Sequence, residues 1–230
     1  MKINSVIFSC TIALGMIIGA VFLSGGLKKI AFKDRAVSVK GLATSDVKAD
    51  YVVYPIYYAV ESNDLRSLQT EAVRVQKEVK KLLLSKGFEE IDLRAGKVSV
   101  NDQWASYYGD HRPTYQYSLR ASIIISSDKV DLVIDNLDLT TELLERGIIV
   151  DIQEWNIDFQ YNGLAEIKPA MIEEATRNAR AVAMKFAEDA KCKLGSIRRA
   201  NQGQFSVDSD PYQPWIKHVR VVTTVDYYLK

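Results

Sequence analysis

PAMIEEATRNARAVAMKFAEDAKCKLG, residues 169–195, is the longest uninterrupted helical stretch of the chain. Met171 or Ile172, Ala175, Ala179, Val182, Phe186 and Ala190 recur at helical spacing, which predicts one apolar stripe facing a core. Pro169 suits a first helical turn and Gly195 an end. The small alanines allow a helix to lie closely on a sheet. Glu173 and Arg177 are spaced for an exposed i,i+4 pair worth roughly 0.2–0.5 kcal/mol. Nothing in the stretch requires catalysis, so it reads as a packing spine.

A second helix is predicted from SNDLRSLQTEAVRVQKEVKKLLLSKG, residues 62–87. Leu65, Leu68, Ala72, Val75, Val79 and Leu82 alternate spacings of three and four between a Ser62, Asn63 or Asp64 cap and a Gly87 stop. Residues 37–62, rich in Val and Tyr and punctuated by Gly41 and Pro55, predict two strands. Residues 91–102 predict another. In 114–125 the odd positions from Tyr115 to Ile125 are apolar, the mark of a half-buried strand. Residues 126–147 predict a capped helix through Val130, Val133, Ile134 and Leu137, with a further turn or two ending at Gly147.

Residues 148–163 alternate again, but the apolar parity moves from Val150 and Ile152 to Trp155, Ile157, Phe159 and Tyr161. A bulge near Gln153 and Glu154 accounts for the shift. After the long helix, 196–207 and 217–230 predict strands, with Val219, Val221, Val225, Tyr227 and Leu229 on one face of the last. Residues 51–125 and 148–229 therefore run in the same order: strand, long helix, strand, aromatic loop, long strand. The expected fold is α+β, with mostly antiparallel sheets, long helices packed on one face and two pseudo-repeated β-α-β-β units.

Val6 to Leu23 carries no charge and is followed by SGGLKK. Residues 1–26 are therefore expected to be a signal peptide or an N-terminal membrane anchor, delivering the body outside the cytoplasm. Length favours the anchor; Ser24 and Gly26, suited to a cleavage site, favour the signal peptide. Residues 27–36 read as a linker and 37–230 as the folded domain. The chain holds 30 Lys plus Arg against 29 Asp plus Glu, and Lys2 is the only charge before residue 27. The body is thus balanced at 29 of each sign. Such a surface argues against nucleic acid as a partner and permits self-association.

Chemistry is scarce. There is no Gly-rich phosphate loop, paired-cysteine metal spacing, His-Glu-x-x-His or Gly-x-Ser-x-Gly. Metal binding would rest on His111 and His218 with Asp110, Asp208 and Asp210, too few fixed partners for a specific site, so no metal and no cofactor are expected. Cys10 lies in the apolar N-terminal run. Cys192, near a helix C-terminus where the dipole disfavours a thiolate, reads as an incidental thiol despite Lys191 and Lys193. The aromatic loops are more promising. Trp104, Tyr107, Tyr108, Tyr212 and Trp215 are the expected interface residues, because exposed aromatics cost solubility unless covered; covering by the same chain is the competing account.

VKGLATSDVKAD, VVYPIYY, NDLRSLQ, Tyr161-Asn162-Gly163-Leu164, IKPAMIEEATRNARAVAMKFAEDA, LGSIRRANQGQFSV and VRVVTTVDYYL together resemble the bacterial SIMPL-domain family over roughly residues 37–230. The chain resembles in particular the exported branch, which includes periplasmic immunogenic proteins of Gram-negative bacteria. The resemblance implies an α+β fold, an envelope location, ring-like or channel-like homo-oligomers in one branch, and an association with oxidative-stress tolerance. It implies no catalytic residues. The expectation is a non-enzymatic periplasmic protein, either soluble or held at the inner membrane through residues 6–23, that assembles with itself in a structural or stress-protective role. The alternative is a small-ligand or metal binding module, or an enzyme, with a pocket between the two half-units lined by Trp155, Arg198, Arg199 and the aromatic loops.

Overall fold

The computed structural model describes residues 15–16, 35–105, 107–109, 112–151 and 156–230. The proposed N-terminal anchor or signal, apart from Gly15 and Met16, lies outside these residues, as do Asp110, His111, Trp155 and the bulge placed at Gln153 and Glu154. Among the described residues no helix is long and apolar enough to cross a membrane.

The architecture is α+β with antiparallel sheets, as the pattern predicted. The strands are β1 (Ala36–Lys48), β2 (Tyr51–Ser62), β3 (Leu93–Ala95), β4 (Ser99–Asp102), β5 (Tyr117–Ser127), β6 (Val150–Asp151), β7 (Asp158–Gln160), β8 (Leu194–Gln202), β9 (Ser206–Ser209) and β10 (Ile216–Leu229). The helices are α1 (Leu65–Ser85), α2 (Val130–Ile134), α3 (Leu139–Glu145) and α4 (Leu164–Asp189). The chain forms two compact units. One comprises residues 46–167 with 207–218, and the other residues 1–45, 168–206 and 219–230.

The first unit is built on a six-stranded sheet of order β3-β5-β2-β6, with β4 on β5 and β7 on β2. β2 and β5 pair antiparallel from Val52 opposite Ser127 to Ser62 opposite Tyr117. Their alternation sends Val52, Tyr54, Ile56, Tyr58 and Val60 to the same core as Leu119, Ala121, Ile123 and Ile125. α1 joins that core through Leu68, Ala72, Val75, Val79, Leu82 and Leu83. Leu65, expected on the seam, is exposed because it opens the helix, one residue after the Asp64 cap that accepts Ser67 N–H at 2.8 Å. Gly87, at φ 104°, lets Phe88 N–H return to Leu83 O at 3.2 Å and closes the last turn.

The second unit holds the sheet β1-β10-β8 and most of α4. Its core gathers Val39, Ala179, Ala183, Val225 and Tyr227. Here the expected stripe needs correction. The buried row of α4 is Met171, Ala175, Ala179, Ala183 and Ala187, whereas Val182 and Phe186 are exposed, Phe186 at 55%. Gly41 supplies the reason. A Cβ built there would lie 1.8 Å from Ala175 O and 2.8 Å from Ala179 Cβ, so β1 and α4 meet at backbone distance and only small residues fit between them. The ends of α4 also differ from expectation. It begins at Leu164, which leaves Pro169 inside the helix, and it ends at Asp189, closed by a turn at Lys191 and not at Gly195. Lys191 adopts φ 53°, with Cys192 N–H bonded to Ala187 O at 2.8 Å and Lys191 N–H to Glu188 O at 2.9 Å, a Schellman closure without glycine.

The repeated element order is present, but the strands are shared out unevenly. β7, the first strand of the second half, pairs with β2. The place beside β10 is taken by β1.

Candidate functional site

The two aromatic loops are organised alike. At the end of β4, Asp102 Oδ1 accepts the N–H groups of Trp104 and Ala105, each at 3.0 Å, while its other oxygen accepts Gln116 Nε2 at 3.0 Å. Just after β9, Asp210 Oδ1 accepts the N–H groups of Tyr212 and Gln213, each at 2.8 Å. Each aspartate thus folds the loop that follows it by accepting two main-chain donors. The hydrogen bond from Gln116 and those from the loop backbone hold Asp102 below its ordinary value, and the backbone bonds from Tyr212 and Gln213 do the same for Asp210. In the sequence Asp210 stood out only as a possible metal oxygen, and Asp102 not at all. The available signal was an aspartate at a strand end with an aromatic two positions later: Asp102 with Trp104, Asp210 with Tyr212.

The five expected interface residues divide. Trp104 is turned into its own loop: its indole N–H donates to Pro113 O at 2.9 Å and the Arg112 guanidinium lies 3.5 Å from the ring centroid. Trp215 packs edge-on to Phe159, centroids 6.0 Å apart, and its carbonyl accepts Ala49 N–H at 2.8 Å. Tyr107 is half-buried. Tyr108 and Tyr212 project into solvent, 95% and 89% exposed. The loops therefore cover their tryptophans and present tyrosines.

His218 stands between two carboxylates, Nδ1 2.6 Å from Asp46 and Nε2 3.4 Å from Asp210. The hydrogen bond to Asp46, then that to Asp210, raises its pKa above the usual imidazole value. Its neighbour Lys217 lies in the buried row of β10 with 7% exposure, its ammonium 2.6 Å from Ser209 Oγ; burial lowers its pKa, opposed by the charge of Asp158. Asp208, grouped with His218 in the metal reading, is exposed on β9. Cys192 is half-buried, with Sγ 3.4 Å from Ala190 O.

Among the described residues β8 ends its sheet and pairs with β10 alone. Asp226 opposes Arg199 while Tyr227 opposes Ile197, so Arg198 is the extra residue of a bulge, its guanidinium 6.0 Å from the Tyr228 ring. From Ser196 to Gln202 every residue of β8 is exposed. At the opposite end of the sheet, the β1 carbonyl of Leu42 is occupied by Asn178 Nδ2 at 2.8 Å.

Antiparallel sheets with long helices place the protein in the α+β class. A protein-family profile matches residues 37–225, that of SIMPL, described as a protein of unknown function (DUF541), and the chain belongs to this family. No curated protein matches it.

Proposed function

We propose that the protein is a non-enzymatic component of the bacterial cell envelope that assembles with copies of itself through the free edge of β8. The supporting observation is that edge. Seven consecutive residues, Ser196–Gln202, are exposed on both faces of a strand with one neighbour. Unpaired N–H and C=O groups on such an edge are a template for another strand. The other sheet is guarded by edge strands of two to four residues, and a helix side chain, Asn178, occupies a β1 carbonyl, that of Leu42. Tyr108 and Tyr212 add amphipathic contact points, and the charge balance removes long-range repulsion between copies. The role is structural or stress-protective in the periplasm, with residues 6–23 either cleaved or retained in the inner membrane.

Light scattering of the full chain in a neutral detergent tests the reading. A multimer at micromolar concentration that dissociates when Ile197, 51% exposed on β8, is replaced by Glu is expected. A strict monomer overturns it.

A further inference from the structure

The outer face of the six-stranded sheet carries a hollow of about 640 Å³ lined in part by Tyr57, Lys97, Ser99, Arg120, Ile149 and Asn156. Its origin lies in strand register. Arg120 on β5 is flanked by Ala59 on β2 and Ser99 on β4, both too small to shield it. Two positions along β2, on the same face, Tyr57 stands beside Ser122. A second depression of about 400 Å³, reaching Glu61 and Ser118, shares Ser99 and Arg120 with the first. The guanidinium therefore stands where two hollows meet.

Charge is unevenly satisfied there. Neither Arg120 nor Lys97 has a salt-bridged carboxylate among the described residues; Asp151 also lines the hollow, and Glu61, at the edge of the second depression, accepts Gln103 Nε2 at 3.0 Å. Exposed apolar groups, Tyr57 at 42% and Ile149 at 75%, lie in the same hollow. Cationic donors beside uncovered apolar surface, in a volume typical of small-molecule sites, select a ligand with one anionic head and an apolar body.

We infer that this hollow binds a small organic monocarboxylate, with its head on Arg120 and Lys97 and its body against Tyr57 and Ile149. Arginine presents paired N–H donors that match both oxygens of a carboxylate. This site lies within one unit and is independent of the β8 edge, so its failure leaves the assembly reading intact.

The probe is 3-phenylpropionate, titrated calorimetrically into the full chain in neutral detergent. 3-Phenylpropanol tests the body without the charge, and inorganic phosphate the charge without the body. Both are expected to bind at least about tenfold more weakly than the carboxylate. Arg120→Gln is expected to weaken the carboxylate at least about tenfold and Tyr57→Ala severalfold, while Arg94→Gln, on β3 outside the hollow, leaves affinity unchanged. Circular dichroism confirms that the variants fold. No heat with 3-phenylpropionate at millimolar concentration, equal binding by Arg120→Gln, or equal binding of phosphate overturns the inference.

Discussion

The carboxylate of Asp50, in the turn between β1 and β2, accepts the main-chain N–H of Asn162 at 2.9 Å. It also accepts the N–H of Gly163 at 2.8 Å and Asn162 Nδ2 at 3.1 Å. These donors lie immediately ahead of α4, where no intrahelical acceptor exists for them. The start of the longest helix is thus capped by a residue more than a hundred positions upstream, and the Tyr161-Asn162-Gly163-Leu164 marker acquires a physical role. Asp50→Ala is expected to lower stability by about 1 kcal/mol, the usual worth of a cap, and Asp50→Asn by less. Urea denaturation checks both, and an unchanged midpoint for Asp50→Ala would remove the capping account.

Gly41 gives a sharper outcome. Elsewhere a Gly→Ala change in a strand stiffens the unfolded chain and stabilises by about 0.4–1 kcal/mol. At position 41 the added methyl meets the backbone of α4. Gly41→Ala is expected to cost about 3 kcal/mol or more, the upper range of overpacking, read from the same denaturation curves.

His218 predicts a pH dependence. Its folded pKa is raised by Asp46 and Asp210. The stabilisation is therefore fully present below the unfolded value of about 6.5 and is lost as pH rises through the folded value. A neutral imidazole has one N–H, so it cannot donate to both carboxylates. An NMR titration is expected to place His218 above an ordinary histidine, and Asp46→Asn to move it down.

Lys217 has the opposite sign. Burial lowers its folded pKa, so the charged form is disfavoured by folding. Its cost is present below the folded value and disappears as pH rises through the unfolded value of about 10.4. Lys217→Met is expected to stabilise by up to about 1 kcal/mol at pH 7, by replacing a buried charge with an apolar chain. Equal gain at pH 7 and above pH 10.5, measured by thermal unfolding, would rule out the electrostatic cause.

The strands and α1 were legible because alternation and helical spacing report which face is buried. Leu119 to Ile125 and Leu68 to Leu82 follow their expected faces. The α4 stripe was misread because bulk was taken as the sign of burial: Val182 and Phe186 are larger than Ala183 and Ala187, yet the buried row is the one that continues from Ala175 and Ala179, where α4 meets Gly41 at backbone distance. Period two also names no partner, so the pairing of β7 with β2 left no trace in the pattern. The aromatic loops were visible as composition. Which rings they cover depends on hydrogen bonds accepted by Asp102 and Asp210 and donated by Trp104 that spacing alone does not specify.

β1 begins at residue 36 and β10 ends at residue 229, and the two are neighbours in one sheet. Nearly the whole body must be synthesised before β1 meets its partner strand. Pairings this remote in sequence slow folding, and an unpaired strand held waiting is exposed to aggregation. A chain of this topology gains from a holding chaperone while it is made, and a truncation that removes β10 would strand its first strand as well as its last.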